Sequence, residues 1–203
     1  MTQDEIDFFD AIAPKWDAME RLSTSDRIDP ILDIVGLKDG QHVLDLGTGT
    51  GVLLPYLRQR VGDDGRIVAV DFSTGMLNVA RQKMRGVDDD ILFEYLDFEE
   101  SHIDGRFDVI FLYCVYPHLL EPVPTLKRLV SENLSENGKI IIAFPTDNHT
   151  INSIHKHRKL DDCLLVSAPV LAVNLRAAGL DAVCEADTES AYVVKVRGVL
   201  PHC

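Results

Sequence analysis

Short runs of apolar and β-branched residues alternate along this chain with stretches in which apolar positions recur every three or four residues. The first pattern is that of strands buried on both faces, the second that of amphipathic helices. His42 to Leu46 is one such run and ends in a cluster of glycines. Val52 to Arg60 follows with helical spacing until Gly62-Asp-Asp-Gly65 breaks it. Arg66 to Val70 predicts a second strand, closed by Asp71, and Thr74 to Arg85 a helix with Ser73 or Thr74 as its N-cap. Ile91 to Leu96 and Phe107 to Leu112 predict strands three and four. A helix from Val123 to Leu134 is expected to stop at Asn137-Gly138, ahead of a fifth strand over Lys139 to Phe144. Helices over 148–160 and 168–178 then lead to two strands, Leu180 to Glu185 and Ala191 to Arg197, joined by the polar turn Asp187-Thr-Glu-Ser190.

Strands linked by helices form parallel sheets, whereas two strands linked by a turn pair antiparallel. The expected fold is therefore α/β: a Rossmann-like three-layer sandwich whose seven-stranded, mostly parallel sheet ends in an antiparallel C-terminal hairpin. Dinucleotide-binding Rossmann domains have six parallel strands, so the hairpin points away from NAD.

Composition narrows the function. Hydrophobic residues make up 46% of the 203, enough for a core in one domain over 1–203. The formal charge of −13 would repel a polyanion, which argues against a nucleic-acid partner. The basic cluster His155 to Lys159 reads as a solvated helix face balanced by Asp161 and Asp162. No apolar run is long enough for a membrane span, and the acidic N-terminus does not resemble a signal peptide. Cysteines 114, 163, 184 and 203 stand far apart, the usage of reduced thiols, and a cytoplasmic location is expected. The pattern leaves a homodimer open.

The sharpest motif is Asp45-Leu46-Gly47-Thr48-Gly49-Thr50-Gly51, between the first strand and a helix. Glycines permit a sharp turn and a close approach of ligand to backbone, and the helix start offers unpaired N–H groups. The spacing is GxGxG, with Val52 where the dinucleotide fingerprint has its third glycine. A carboxylate at Asp45 would repel a pyrophosphate but suits an ammonium group, such as the methionyl end of S-adenosylmethionine. Asp71, twenty residues past Gly51, can accept two hydrogen bonds from a ribose diol, or simply cap a helix. Asp97 is placed to meet an adenine edge, with Leu96 and Phe98 flanking the ring, or is a plain loop aspartate.

The run Val43 to Gly51, the step Val70-Asp71-Phe72-Ser73, Asp97, and Phe107-Asp108-Val109-Ile110 resemble the successive motifs of class I S-adenosylmethionine-dependent methyltransferases. Gly138-Lys-Ile-Ile-Ile142 and the hairpin also fall where that fold puts them. Phe9-Asp-Ala-Ile-Ala-Pro-Lys-Trp-Asp17 is similar to the entry segment of the ubiquinone and menaquinone methyltransferase branch. The resemblance implies methyl transfer from S-adenosylmethionine, with S-adenosylhomocysteine as product and a small molecule as acceptor. It also implies cofactor contacts from Asp45, Gly47, Thr48, Gly49, Gly51, Asp71, Phe72, Met76, Leu96, Asp97, Phe98, Tyr113 and Trp16. Residues 1–35 would form a helical lid over a core at 41–203, and Pro14 is expected to interrupt the lid's helix. Where the quinone enzymes carry a stretch like Asn-Phe-Gly-Leu-Arg-Asn, this chain has Tyr113-Cys-Val-Tyr-Pro-His-Leu119, so a quinone precursor is only one candidate acceptor.

Methyl transfer needs an oriented nucleophile and, for some acceptors, a base. His118 is the candidate base, or a packing histidine; Tyr116, His149 and His155 are candidates for the acceptor pocket. The histidine spacing does not suit a metal, and none is expected. Cys114 lacks an electropositive neighbour in sequence and reads as a small buried residue. A non-catalytic sensor of S-adenosylmethionine or its product would share the glycine loop, and an NAD-dependent oxidoreductase is the third reading.

Overall fold

The computed structural model describes residues 3–157 and 164–198. The N-terminal segment comprises α1 (Gln3–Ile12), a 3-10 turn at Ala13–Lys15, α2 (Trp16–Met19) and α3 (Ser25–Val35). Pro14 sits in the 3-10 turn and interrupts the first helix. The alternating part is β1 (His42–Leu46), α4 (Leu54–Val61), β2 (Arg66–Asp71), α5 (Thr74–Met84), β3 (Leu92–Tyr95) and β4 (Phe107–Tyr113). It continues through a 3-10 turn at Tyr116–His118, α6 (Pro122–Arg128), β5 (Leu134–Phe144), α7 (Asn148–His157), α8 (Ala168–Ala177), β6 (Asp181–Asp187) and β7 (Tyr192–Arg197). Residues 158–160 of the expected 148–160 helix lie outside the described residues.

The seven strands form one sheet in the order β3-β2-β1-β4-β5-β7-β6, and β7 is the reversed strand, antiparallel to both neighbours. Period-two side-chain direction divides its core in two. Leu44, Leu46, Ile110, Leu112, Ile140 and Ile142 point to one face, where Leu126 and Leu129 around α6 and Leu171 and Leu175 of α8 cover them. Val43, Val109, Phe111, Ile141 and Ala143 point to the other, against Ile28, Ile31 and Leu32 of α3 and Leu54 and Leu57 of α4. The result is the three-layer arrangement that the alternation of strands and helices predicts.

One expected boundary is wrong. The helix ends as a single π turn over Leu129–Asn133, next to the expected Leu134, but β5 starts at Leu134 and not at Lys139, so Asn137-Gly138 lies inside the strand and is not the helix stop. The Asn133 side-chain amide donates to the carbonyls of Ile103 at 2.8 Å and Gly105 at 3.2 Å, which fixes the chain at the helix exit. Asn137 has φ 64° inside the strand, beside a register shift between Phe107 and Val109 of β4. Asn-Gly signals a helix stop because it tolerates left-handed backbone, and here the same tolerance serves a strand irregularity.

The sheet order puts β1 and β4 side by side although α4, β2, α5 and β3 intervene in sequence. The chain winds one way from β1 to β3 and the other way from β4, so a crevice opens at the carboxyl ends of β1 and β4.

Candidate functional site

At that crevice the chain leaves β1 through Gly47, Gly49 and Gly51, with φ of 69°, 55° and 75°. The N–H groups of Gly47 and Thr48 both donate to the Val70 carbonyl, at 2.8 and 3.0 Å, which binds the loop to β2. The glycines do different work. A Cβ on Gly47 would lie 2.4 Å from a Val115 methyl, and one on Gly51 would lie 2.8 Å from Leu54 and 3.0 Å from Ala80. A Cβ on Gly49 would meet nothing within 4 Å, because Gly49 faces a cavity.

Two carboxylates flank this loop. Asp45 is 2% exposed, and its Oδ2 accepts the Thr48 hydroxyl at 2.7 Å. Burial pushes its carboxyl up to about 7, opposed by the Thr48 bond and helped by the nearby Asp71. Asp71 is 3% exposed and accepts the N–H groups of Gly49 at 2.7 Å and Ser73 at 2.9 Å. Burial raises it to about 6 against those two bonds, with Asp10 adding to the rise. Among the described residues neither carboxylate has a cation beside it.

The N-terminal segment closes one side. Asp10 of α1 accepts the Ser73 hydroxyl at 2.5 Å and the Gly75 N–H at 2.8 Å. Asp17 of α2 accepts the Thr50 hydroxyl at 2.5 Å and the Lys83 ammonium at 2.7 Å. Burial acts to raise the Asp17 carboxyl, but the Lys83 and Thr50 hydrogen bonds outweigh it and hold the group below its ordinary value. The Phe9 ring meets Trp16 at 5.7 Å, Phe72 at 6.0 Å and His118 at 6.1 Å between centroids, all edge to face.

The cavity measures about 350 Å³ and is lined from Asp71 and the ends of β1, β4 and β5 to α7. Of the residues expected at the site, Trp16, Asp45, Gly47, Thr48, Gly49, Asp71, Phe72, Met76, Tyr113, His118 and His155 line it. Gly51, Leu96, Asp97, Phe98, Tyr116 and His149 do not. Gly51 packs under the loop; Phe98 is 2% exposed in the core, with Leu96 and Tyr116 packed against the same cluster. The Asp97 carboxylate accepts the Glu99 N–H at 3.0 Å, as a turn aspartate does. His149 is exposed on α7.

Several lining residues escaped the sequence reading: Glu20 and Ser23 from the N-terminal segment, Phe144 and Pro145 at the end of β5, and Ile151 and Ile154 on α7. Ile151, Ile154 and His155 stand at i, i+3 and i+4, a one-face signal that was present in the sequence. Glu20 accepts the N–H groups of Leu22 and Ser23 at 2.8 and 2.9 Å, and Tyr113 donates its hydroxyl to Ser23 at 3.1 Å. Cys114 takes a left-handed φ of 59° at the end of β4, a strained conformation for a residue with a side chain.

A glycine wall open to a ligand and two buried carboxylates with no counter-cation among the described residues suit a cationic nucleoside. A family model described as a methyltransferase domain matches residues 37–186. The ubiquinone/menaquinone biosynthesis C-methyltransferase of Vibrio parahaemolyticus is 37% identical over 110 residues, covering 50% of this chain and 42% of that protein. The malonyl-[acyl-carrier protein] O-methyltransferase of Acetivibrio thermocellus is 30% identical over 128 residues, covering 62% and 43%. The chain therefore spans less than half the length of these curated relatives. A SAM-dependent methyltransferase from Aquifex aeolicus has the same fold, with a TM-score of 0.73 at 22% identity over 94% of this chain and 98% of that one. On the family match across most of its length, the chain belongs to the methyltransferase domain family, whose methyl donor is S-adenosylmethionine.

Proposed function

We propose that this chain transfers a methyl group from S-adenosylmethionine to a small molecule by in-line displacement. The observation that carries this reading is the pair of buried carboxylates, Asp45 and Asp71, either side of a glycine loop that faces a cavity. Burying an uncompensated carboxylate is costly, and a ligand with an ammonium group and a ribose diol would offset that cost. Asp71 would hold the diol and Asp45 the ammonium group, with the Gly47 to Gly49 backbone beneath the nucleoside. Trp16, Phe72, Met76 and Tyr113 would supply apolar walls. When bound, the sulfonium brings its own leaving group, so the protein's task is to orient an acceptor and exclude water.

The strand ends support a direction for the ligand. Asp71 ends β2, the glycine loop follows β1, and Tyr113 and Cys114 end β4, so a ligand with its ribose on Asp71 points its other end toward β4 and β5. The acceptor would then enter between His118 and α7. Residues 3–24 would act as the mobile cover of the site; α3, with Ile28, Ile31 and Leu32 in the core, would stay fixed.

Calorimetric titration with S-adenosylmethionine, S-adenosylhomocysteine and NADH tests the reading. Micromolar binding of both adenosyl ligands and none of NADH is the expected result. NADH binding alone would overturn it, and cofactor binding without transfer to any acceptor would favour a sensor.

A further inference from the structure

Two carboxylates from distant elements meet the same serine. Ser73, the N-cap of α5, is fully buried. Its backbone N–H donates to Asp71 Oδ1 at 2.9 Å. Its hydroxyl donates to Asp10 of α1 at 2.5 Å and accepts the Met76 N–H at 3.1 Å. The two partners of the hydroxyl hold the residue in place, and with it the N–H that meets Asp71. The other Asp71 oxygen accepts the Gly49 N–H at 2.7 Å. Each carboxylate oxygen therefore has one backbone donor and keeps a second lone pair, the arrangement that a vicinal diol can meet with both hydroxyls.

Gly75 provides an independent tie to α1. Its N–H donates to the same Asp10 oxygen at 2.8 Å. A Cβ on Gly75 would lie 2.9 Å from the Asp10 carbonyl oxygen, 3.0 Å from its Cα and 3.1 Å from its Oδ1. The helix can seat on this turn only because residue 75 has no side chain. The Asp10 charge suits the start of α5, whose first N–H groups carry partial positive charge. The same charge opposes ionisation of Asp71. Hydrogen bonding and charge thus act on Asp71 in opposite senses, and substitution can separate them.

Resting on the reading that Asp71 holds a ribose diol, we propose that Asp10 is a positioning residue for the cofactor: through Ser73 it holds the Asp71 carboxylate where both hydroxyls can reach it. Asp10 is not among the residues that line the cavity, so it acts through Asp71 and not by touching the ligand. The N-terminal segment then serves cofactor binding in two ways. Phe9, Trp16 and Asp17 cover the site, and Asp10 sharpens its recognition of the sugar. When α1 leaves, the turn after β2 slackens and the diol's bonds weaken more than the rest of the ligand's contacts.

The test is calorimetric titration with S-adenosylhomocysteine and with its dideoxyribose analogue, which lacks both hydroxyls. The ratio of the two dissociation constants measures what the diol contributes. In the unmodified protein the ratio should be roughly thirtyfold. Asp10→Ala should reduce it to roughly threefold, and so should Gly75→Ala, which displaces α1 without altering either carboxylate. Asp10→Asn keeps an oxygen for Ser73 and Gly75 and should restore most of the ratio. A role confined to covering the site would weaken both ligands alike, and an unchanged ratio in Asp10→Ala and Gly75→Ala would overturn the proposal. A ratio in Asp10→Asn as low as in Asp10→Ala would count against it equally. Should Asp10→Ala bind neither ligand, the ratio in Gly75→Ala decides in the same way. A ratio near one in the unmodified protein would instead remove the diol reading of Asp71 on which the proposal rests.

Discussion

At the scale of single residues, the site's carboxylates make cofactor binding depend on pH. Both must be ionised to hold a cation or accept fully from a diol, and in the cofactor-free protein they stand at about 7 and about 6. Affinity for S-adenosylmethionine should therefore fall about twentyfold between pH 8 and pH 6, measured by calorimetry. An unchanged constant would mean that neither carboxylate meets the ligand. The glycines give a paired test. Gly47→Ala places a Cβ 2.4 Å from Val115 at a left-handed φ and should cost about 1–3 kcal/mol of stability in urea denaturation. Gly49→Ala meets no atom within 4 Å, so its main effect should be on cofactor affinity, with a stability loss near the ~1 kcal/mol of left-handed backbone alone.

At the scale of elements, residues 3–24 are held differently from the rest, α3 included. Ala13 is the buried residue of its 3-10 turn, and α2 has none. Their ties to the core include Asp10 on the N-terminus of α5 and Asp17 between Thr50 and Lys83. Elements with few buried apolar contacts open locally at low cost. Asp17→Ala should speed cofactor dissociation roughly tenfold in stopped-flow, the equivalent of about 1.4 kcal/mol. The melting temperature should hardly move, because the Asp17–Lys83 pair is partly exposed and such pairs contribute little to global stability. A large drop in melting temperature would show instead that the segment is integral to the core.

At the scale of the whole molecule, Asp45 and Asp71 set cofactor binding against stability. The folded state holds their protons more tightly than the unfolded chain, whose carboxyls ionise near 3.8. Their effect is therefore mildest below pH 3.8, and stability is lost as pH rises through 6 to 7. Asp45→Asn keeps an oxygen for the Thr48 hydroxyl and removes the charge. It should raise the melting temperature of the cofactor-free protein at pH 8 by at least about 3 °C, with no gain near pH 4, while weakening the cofactor. The order of strands and helices, the terminal hairpin and the Asp45 to Gly51 loop were legible in the residues alone, because period, turn chemistry and left-handed glycines are local properties. Asn137-Gly138 misled because its signal is local too: a residue that tolerates left-handed backbone can end a helix or bend a strand, and only pairing with β4 decides which. The lining of the cavity was beyond local reading. His118 and His155 are thirty-seven residues apart, and Asp17 and Thr50 thirty-three. The first pair meets where the turn after β4 and α7 line one cavity, the second where α2 lies on the glycine loop after β1. Burial, which raises Asp45 and Asp71, likewise depends on residues distant in sequence, so the residue types came from the sequence and their electrostatics from the packed fold.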